Sequence, residues 1–168
     1  TIRSILVHLD ASPRTTRRLQ VARKLAALSA AKSTSTVTAA YATVPAFVEV
    51  PFAYAEIAAG AMAVVQELEV QRRTDAKKLF DQVNATAAPP MRWLELNNDP
   101  LIPAMTHQAL IADLMVLGQY EAQDTLSIGT PSNFVESVVI ASGKPALIIH
   151  FVGSFGSLGR NVLMRRKS

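Results

Sequence analysis

The chain has 168 residues, 49% hydrophobic and 18% charged, with 9 Pro, 7 Gly and no Cys. That size and balance suit one globular domain with a single core, and the missing cysteines exclude disulfides, thiol catalysis and cysteine-ligated metals. Every apolar block meets a charged residue before it reaches the roughly 18 residues of a membrane span, and no basic segment leads into an apolar leader. A cytoplasmic protein without a membrane partner is expected.

The net charge of +4 does not imply a nucleic-acid partner. Arg160, Arg165, Arg166 and Lys167 account for the excess, which leaves the body of the chain balanced. The other basic groups, Arg17–Arg18, Arg23–Lys24, Arg72–Arg73 and Lys77–Lys78, are spaced along apparent helices and read as solvated faces.

In chain order, "SILVHLD" (4–10) is a short apolar run ending in an acid, the pattern of a buried parallel strand. A helix follows, with Ser12 as its N-cap, Pro13 at its first position and Leu19, Ala22 and Ala26 at helical spacing. "STVTAAYATVP" (35–45) is β-branched and alternating, a second strand closed by Pro45; Pro45 and Pro51 then make "AFVEVPFAYAE" a loop. A long proline-free helix is predicted over 55–83, with Leu68, Arg72, Asp75 and Leu79 at amphipathic intervals.

"MRWLELN" (91–97) reads as a third strand. Asp99 as N-cap and Pro100 at the first helical position open the next helix, with Pro103 still in its first turn. "DLMVLG" (113–118) is a fourth strand, "PSNFVESVVIAS" (131–142) a short helix ended by Gly143, and "PALIIHF" (145–151) a fifth strand. Alternation of this kind predicts an α/β fold: an open sheet of five mainly parallel strands with helices on both faces. Ligands of such sheets sit beyond the carboxyl ends of the strands where strand order reverses. That rule gathers Asp10–Ser12, Tyr41–Val44 and Gly118 with its loop into one candidate site.

Three segments, "ILVHLDAS", "NNDPLIPAMTHQALIADLMVLG" and "VESVVIASGKPALII", together resemble the universal stress protein family, over about Ile2 to Phe151. The resemblance implies an adenine nucleotide alpha hydrolase-like sheet, dimerisation often through the last strand, and ATP binding in some members. Those members carry a glycine, two residues, a second glycine, nine residues, then Gly-Ser or Gly-Thr. Glycines let the backbone approach phosphate, and the last pair opens a helix whose N–H groups face the anion.

Gly118 fits the first glycine. The second falls on Glu121, a carboxylate that repels phosphate, and, counted back from Lys144-Pro145, the final pair falls on Ser132-Asn133. Gly129-Thr130 is a Gly-Thr pair slightly early, which a shifted loop would use. Asp10, with Ala11 and Ser12, matches the acidic end of strand one, and Ala42 the position whose backbone meets adenine. The resemblance therefore implies a nucleotide site of Asp10, Ala11, Ser12, Ala42, Gly118, Gly129, Thr130, Ser132 and Asn133 with a degenerate phosphate loop, ATP being its possible cofactor.

Plainer roles compete for the same residues. Gly118 alone suits a tight turn, and Asp10 could cap the first helix. His8 and Asp10 lie two apart on one strand face, but no nucleophile accompanies them, so His8 reads as a core histidine. Scattered His8, His107 and His150 suggest no metal site, while Trp93, Met91, Met105 and Met115 read as packing residues.

The tail is expected to stand apart: a domain over 1–152, then a Gly/Ser linker and basic tail over 153–168, where Gly153, Gly156 and Gly159 alternate with serines. "GRNVLM" resembles the first strand of a second copy, as in tandem family members, cut short. A homodimer through the last strand or the tail is expected, along with a protein partner of unknown kind.

The resemblance implies a stress-response module that binds rather than catalyses. An ATP-binding, slowly hydrolysing switch is the alternative. A nucleotide-activating ligase on the same sheet would need a glycine run after strand one, and "LDASPRTT" has none.

Overall fold

The computed structural model describes residues 2–29, 35–42, 55–96, 100–123 and 129–150. The loop over 45–54, Asp99, and the linker and tail beyond His150 lie outside the described residues. Nine elements alternate along them: β1 (Ser4–Leu9), α1 (Arg14–Ser29), β2 (Thr36–Ala42), α2 (Ala55–Ala85), β3 (Arg92–Leu96), α3 (Leu101–Leu110), β4 (Leu114–Gly118), α4 (Phe134–Ser142) and β5 (Ala146–Ile149). The strands form one sheet in the order β3-β2-β1-β4-β5, with every pairing parallel. Chain order reverses between β1 and β4, so the switch point falls between the ends of those two strands.

Alternation along the strands divides the core in two. Ile5, Val7 and Leu9 of β1, with Val37, Ala39 and Tyr41 of β2 and Val116 of β4, pack against α1 and α2. Leu6, Ala40, Ala42, Met115 and Leu117 face the other way, onto α3 and α4. Both faces of β1 and β4 are therefore dry, which is why these strands read as unbroken apolar runs. Asp113 fastens the entrance of β4 to the start of β1 by accepting the N–H groups of Arg3 (2.7 Å) and Ser4 (3.0 Å).

Helix ends follow local chemistry with two differences from expectation. Gly143 ends α4 in the left-handed conformation (φ 63°) and returns its N–H to Val139 O at 3.0 Å, as a glycine C-cap should. Pro100, expected as the first helical residue of α3, is instead its N-cap, with Leu101 the first helical residue and no side-chain cap bond. In α1 the helix starts at Arg14, and the Ser12 hydroxyl turns back to Asp10 Oδ1 at 2.7 Å instead of heading the helix.

The 31 residues of α2 span about 46 Å at 1.5 Å per residue, far more than a sheet of short strands needs. Among its described side chains, those that reach the core, Ala76, Phe80 and Val83, lie in the C-terminal half. Leu68, expected on the inward stripe, is half exposed, and Asp75 is exposed. The sheet ends before the helix does. Arg23 ties down the far end of α2, its Nη1 donating to Val83 O (2.8 Å) and Thr86 Oγ1 (3.2 Å).

Two of the basic pairs are not the solvated faces expected: Arg18 and Arg23 are buried at 4% and 8% exposure. Trp93 packs where a partial core residue should, edge-on to Phe80 and stacked on Tyr41 at 5.9 Å. Met91, Met105 and Met115 are buried in the packing roles expected of them.

Candidate functional site

At the carboxyl ends of β1 and β4 the structure places a small, charged cleft lined by His8, Asp10, Ser12, Arg14, Arg18, Gly118, Gln119, Tyr120 and Thr130. β1 delivers Asp10, and the turn into α1 folds around its carboxylate. Oδ1 accepts the Ser12 N–H (3.0 Å) and hydroxyl (2.7 Å). The Thr15 hydroxyl lies 3.0 Å from Oδ1 and 2.7 Å from the Asp10 carbonyl oxygen, and accepts the Asp10 N–H at 3.2 Å.

One turn further along α1, Arg18 closes the constellation. Its Nη2 sits 2.6 Å from Asp10 Oδ1 and donates to Thr15 Oγ1 at 2.7 Å. Its Nη1 lies over Gly118, so close that a Cβ there would collide with it. A side chain at 118 would have to displace that guanidinium. Arg18 Nε is buried with no hydrogen-bond partner. The volume left in this part of the cleft is about 20 Å³, room for one water and no phosphate.

The charges set each other's protonation. Burial works against the Asp10 carboxylate, but Arg18 beside it, then His8 and the hydrogen bonds from Arg18 and Ser12, hold the carboxyl well below the usual range. Burial, followed by the Arg18 charge, lowers His8 to about 4 against the opposing pull of Asp10. The His8 ring is fully packed, its centroid 4.6 Å from that of Phe134 at the start of α4. At neutral pH the imidazole is therefore uncharged. It serves as a core histidine, as the sequence implied.

The nine residues implied by the resemblance are only partly assembled. Asp10, Ser12, Gly118 and Thr130 line the cleft together. Ser132 lines an adjoining bay of about 370 Å³ with Gln119, Tyr120, Val135, Glu136 and Ile148. The Ala42 side chain is buried in the core against α3 and α4, and Ala11, Gly129 and Asn133 are outside the lining of these two spaces. Asn133 is the N-cap of α4 but makes no side-chain cap bond. Gly129 has φ 100°, a conformation that favours glycine, and so sets the turn that presents Thr130. Glu121, the carboxylate in the second glycine's place, is met by Arg14 at 3.7 Å.

Sequence reasoning missed Arg18, Thr15 and Arg14. A signal existed: Thr15, Arg18, Leu19, Ala22 and Ala26 share one helical stripe, all of them buried. A basic residue on an inward stripe, one turn past a strand-end aspartate, points to a buried ion pair.

A larger groove, of about 790 Å³, runs between α2 and the edge of β3, lined by Arg73, Lys77, Asp81, Trp93 and Glu95 among others. Its charges serve one another, Arg73 with Glu95 at 2.5 Å and Lys77 with Asp81 at 2.5 Å. It lies away from the switch point, and volume alone does not make it the site. Nearby, Tyr41 donates to Glu69 Oε1 at 2.7 Å, and burial together with that carboxylate raises the phenol far above its ordinary range.

No family model matches the chain, and no curated protein matches it. Solved structures do. A universal stress protein in complex with cAMP is 19% identical, with 89% of this chain and 97% of that chain covered at a TM-score of 0.54. The universal stress protein UspA from Lactobacillus plantarum is 18% identical, with 88% and 97% covered at a TM-score of 0.60. The chain has the universal stress protein fold. Among the described residues, no helix is long and apolar enough to cross a membrane.

Proposed function

We propose that the chain is a universal stress protein-type stress-response module that works by binding and interaction, not catalysis. The observation that carries this reading is the state of the cleft. Its scaffold stands at the switch point, where an open α/β sheet holds ligands. Its phosphate end is filled by an ion pair of the protein's own, Arg18 with Asp10. Among the described residues, the one histidine of the cleft, His8, is held uncharged near neutral pH, and the Ser12 hydroxyl is bonded to the Asp10 carboxylate of that ion pair. Without phosphate-binding glycines at 121 and 132, a triphosphate finds no cradle.

A nucleotide-dependent switch is the second reading. One protein of this fold is in complex with cAMP, and the bay beside Ser132 offers about 370 Å³ at the same end of the sheet. Isothermal titration of the chain, purified free of carried-over nucleotide, separates the two. Absence of heat with ATP and Mg²⁺, or with cAMP, up to millimolar concentration is expected for the interaction module. Micromolar binding would establish the switch instead.

The module acts as a homodimer in this reading, through the last strand or the tail, with residues 1–152 as the domain and 153–168 as linker and tail. Among the described residues β5 pairs with β4 alone, which makes it an edge, and Ile148 on it is half exposed. An edge strand carrying apolar side chains favours pairing with a second copy.

A further inference from the structure

The nucleotide reading leaves open what keeps the cleft shut, and the inference here rests on that reading. We propose that Arg18 is an intramolecular plug: its guanidinium lies in the space over Gly118 that a nucleotide phosphate needs, and the cleft admits nucleotide only when Arg18 swings away.

Three observations carry it. Gly118 fits the first glycine of the loop signature, yet the room its missing side chain leaves is taken by Arg18 Nη1. The plug is held by specific bonds and not by general packing, with Nη2 shared between Asp10 Oδ1 and Thr15 Oγ1. It is also imperfectly held: Nε is buried without a partner, a cost that leaving the cleft would remove. A long side chain rooted on α1 can leave by rotamer change alone, without moving the sheet. Behind the guanidinium the floor is already built from Asp10, Ser12, Gly118 and Thr130.

A closed conformer lowers apparent affinity in proportion to the rarity of the open one. If the plug leaves the cleft open a tenth of the time or less, its removal tightens nucleotide binding by about tenfold or more. Arg18→Ala tests this but strands the Asp10 carboxylate, so Arg18→Lys accompanies it. Lysine keeps a charge for Asp10 and removes the planar fork over Gly118. Circular dichroism and thermal melting check that each variant folds.

Titration of the wild-type chain and both variants with ATP and Mg²⁺ decides. Binding at least about tenfold tighter in Arg18→Lys than in wild type is expected. Equal micromolar binding by all three overturns the plug and leaves the nucleotide reading standing. No heat from any of them overturns both. Weaker binding in the variants also overturns the plug, since Arg18 would then be a ligand of the phosphate.

Discussion

Arg18 and Gly118 come from parts of the chain a hundred residues apart, and they share one space: the guanidinium of the first lies where a side chain on the second would be. Neither residue explains itself alone. The glycine looks like a phosphate contact until the arginine is seen over it, and the arginine looks like a surface charge until its burial at 4% exposure is seen.

That contact makes a prediction independent of any ligand. Gly118→Ala should destabilise the wild-type protein by about 1–3 kcal/mol, the usual cost of overpacking. In an Arg18→Lys background the same change should cost much less, because the colliding group is gone. Urea unfolding of the four proteins in a double-mutant cycle reads the coupling. Additive effects would mean that the two residues do not meet.

Asp10 and Arg18 form a buried pair, so removal of one partner should cost far more than a surface ion pair does. Asp10→Asn leaves the guanidinium uncompensated, and a loss of about 3–5 kcal/mol is expected by chemical denaturation. A change below about 1 kcal/mol, the level of an exposed pair, would contradict the burial described here.

His8 gives the stability a pH dependence with a definite sign. Its value is about 4 in the folded protein against 6.5 unfolded, so the unfolded chain binds the extra proton between those limits. Stability from this group is fully present above pH 6.5 and falls away as pH drops toward 4, by about 3 kcal/mol at most. Asp10, held below the ordinary carboxylate range, adds a further loss below about pH 4. Denaturation curves collected from pH 4 to 7 should show the slope, and His8→Gln should flatten it.

The β5 edge makes the dimer testable. Ile148→Arg places a charge at the exposed position of the edge strand and should yield monomer by light scattering if the strand is the interface. Deletion of residues 153–168 should do so if the tail is. A dimer that survives both changes would require another surface.

Much of the fold was legible because its causes are local. "ILVHL" and "LMVLG" are apolar on both faces, which only a strand covered by helices on both sides can use, and they became β1 and β4 of a parallel sheet. Gly143 stops α4 because a left-handed residue is needed there. Less legible was α2, whose inward stripe depends on how far the sheet extends beneath it. The pattern placed Leu68 on that stripe, and the short strands left it exposed.

The sequence by itself determined the α/β alternation, the switch-point location of Asp10 and Gly118, and the absence of glycines at 121 and 132. Only the tertiary structure decided what stands in their place. A charged residue on a helix is neutral evidence until the element opposite is known, since an arginine turned inward is tolerated only where an acid or other oxygen acceptors meet it, as Asp10 meets Arg18 and Val83 O meets Arg23. Asp10, Thr15 and Gly118 meet Arg18 because β1, α1 and β4 converge there. Convergence of that kind is written in no single segment.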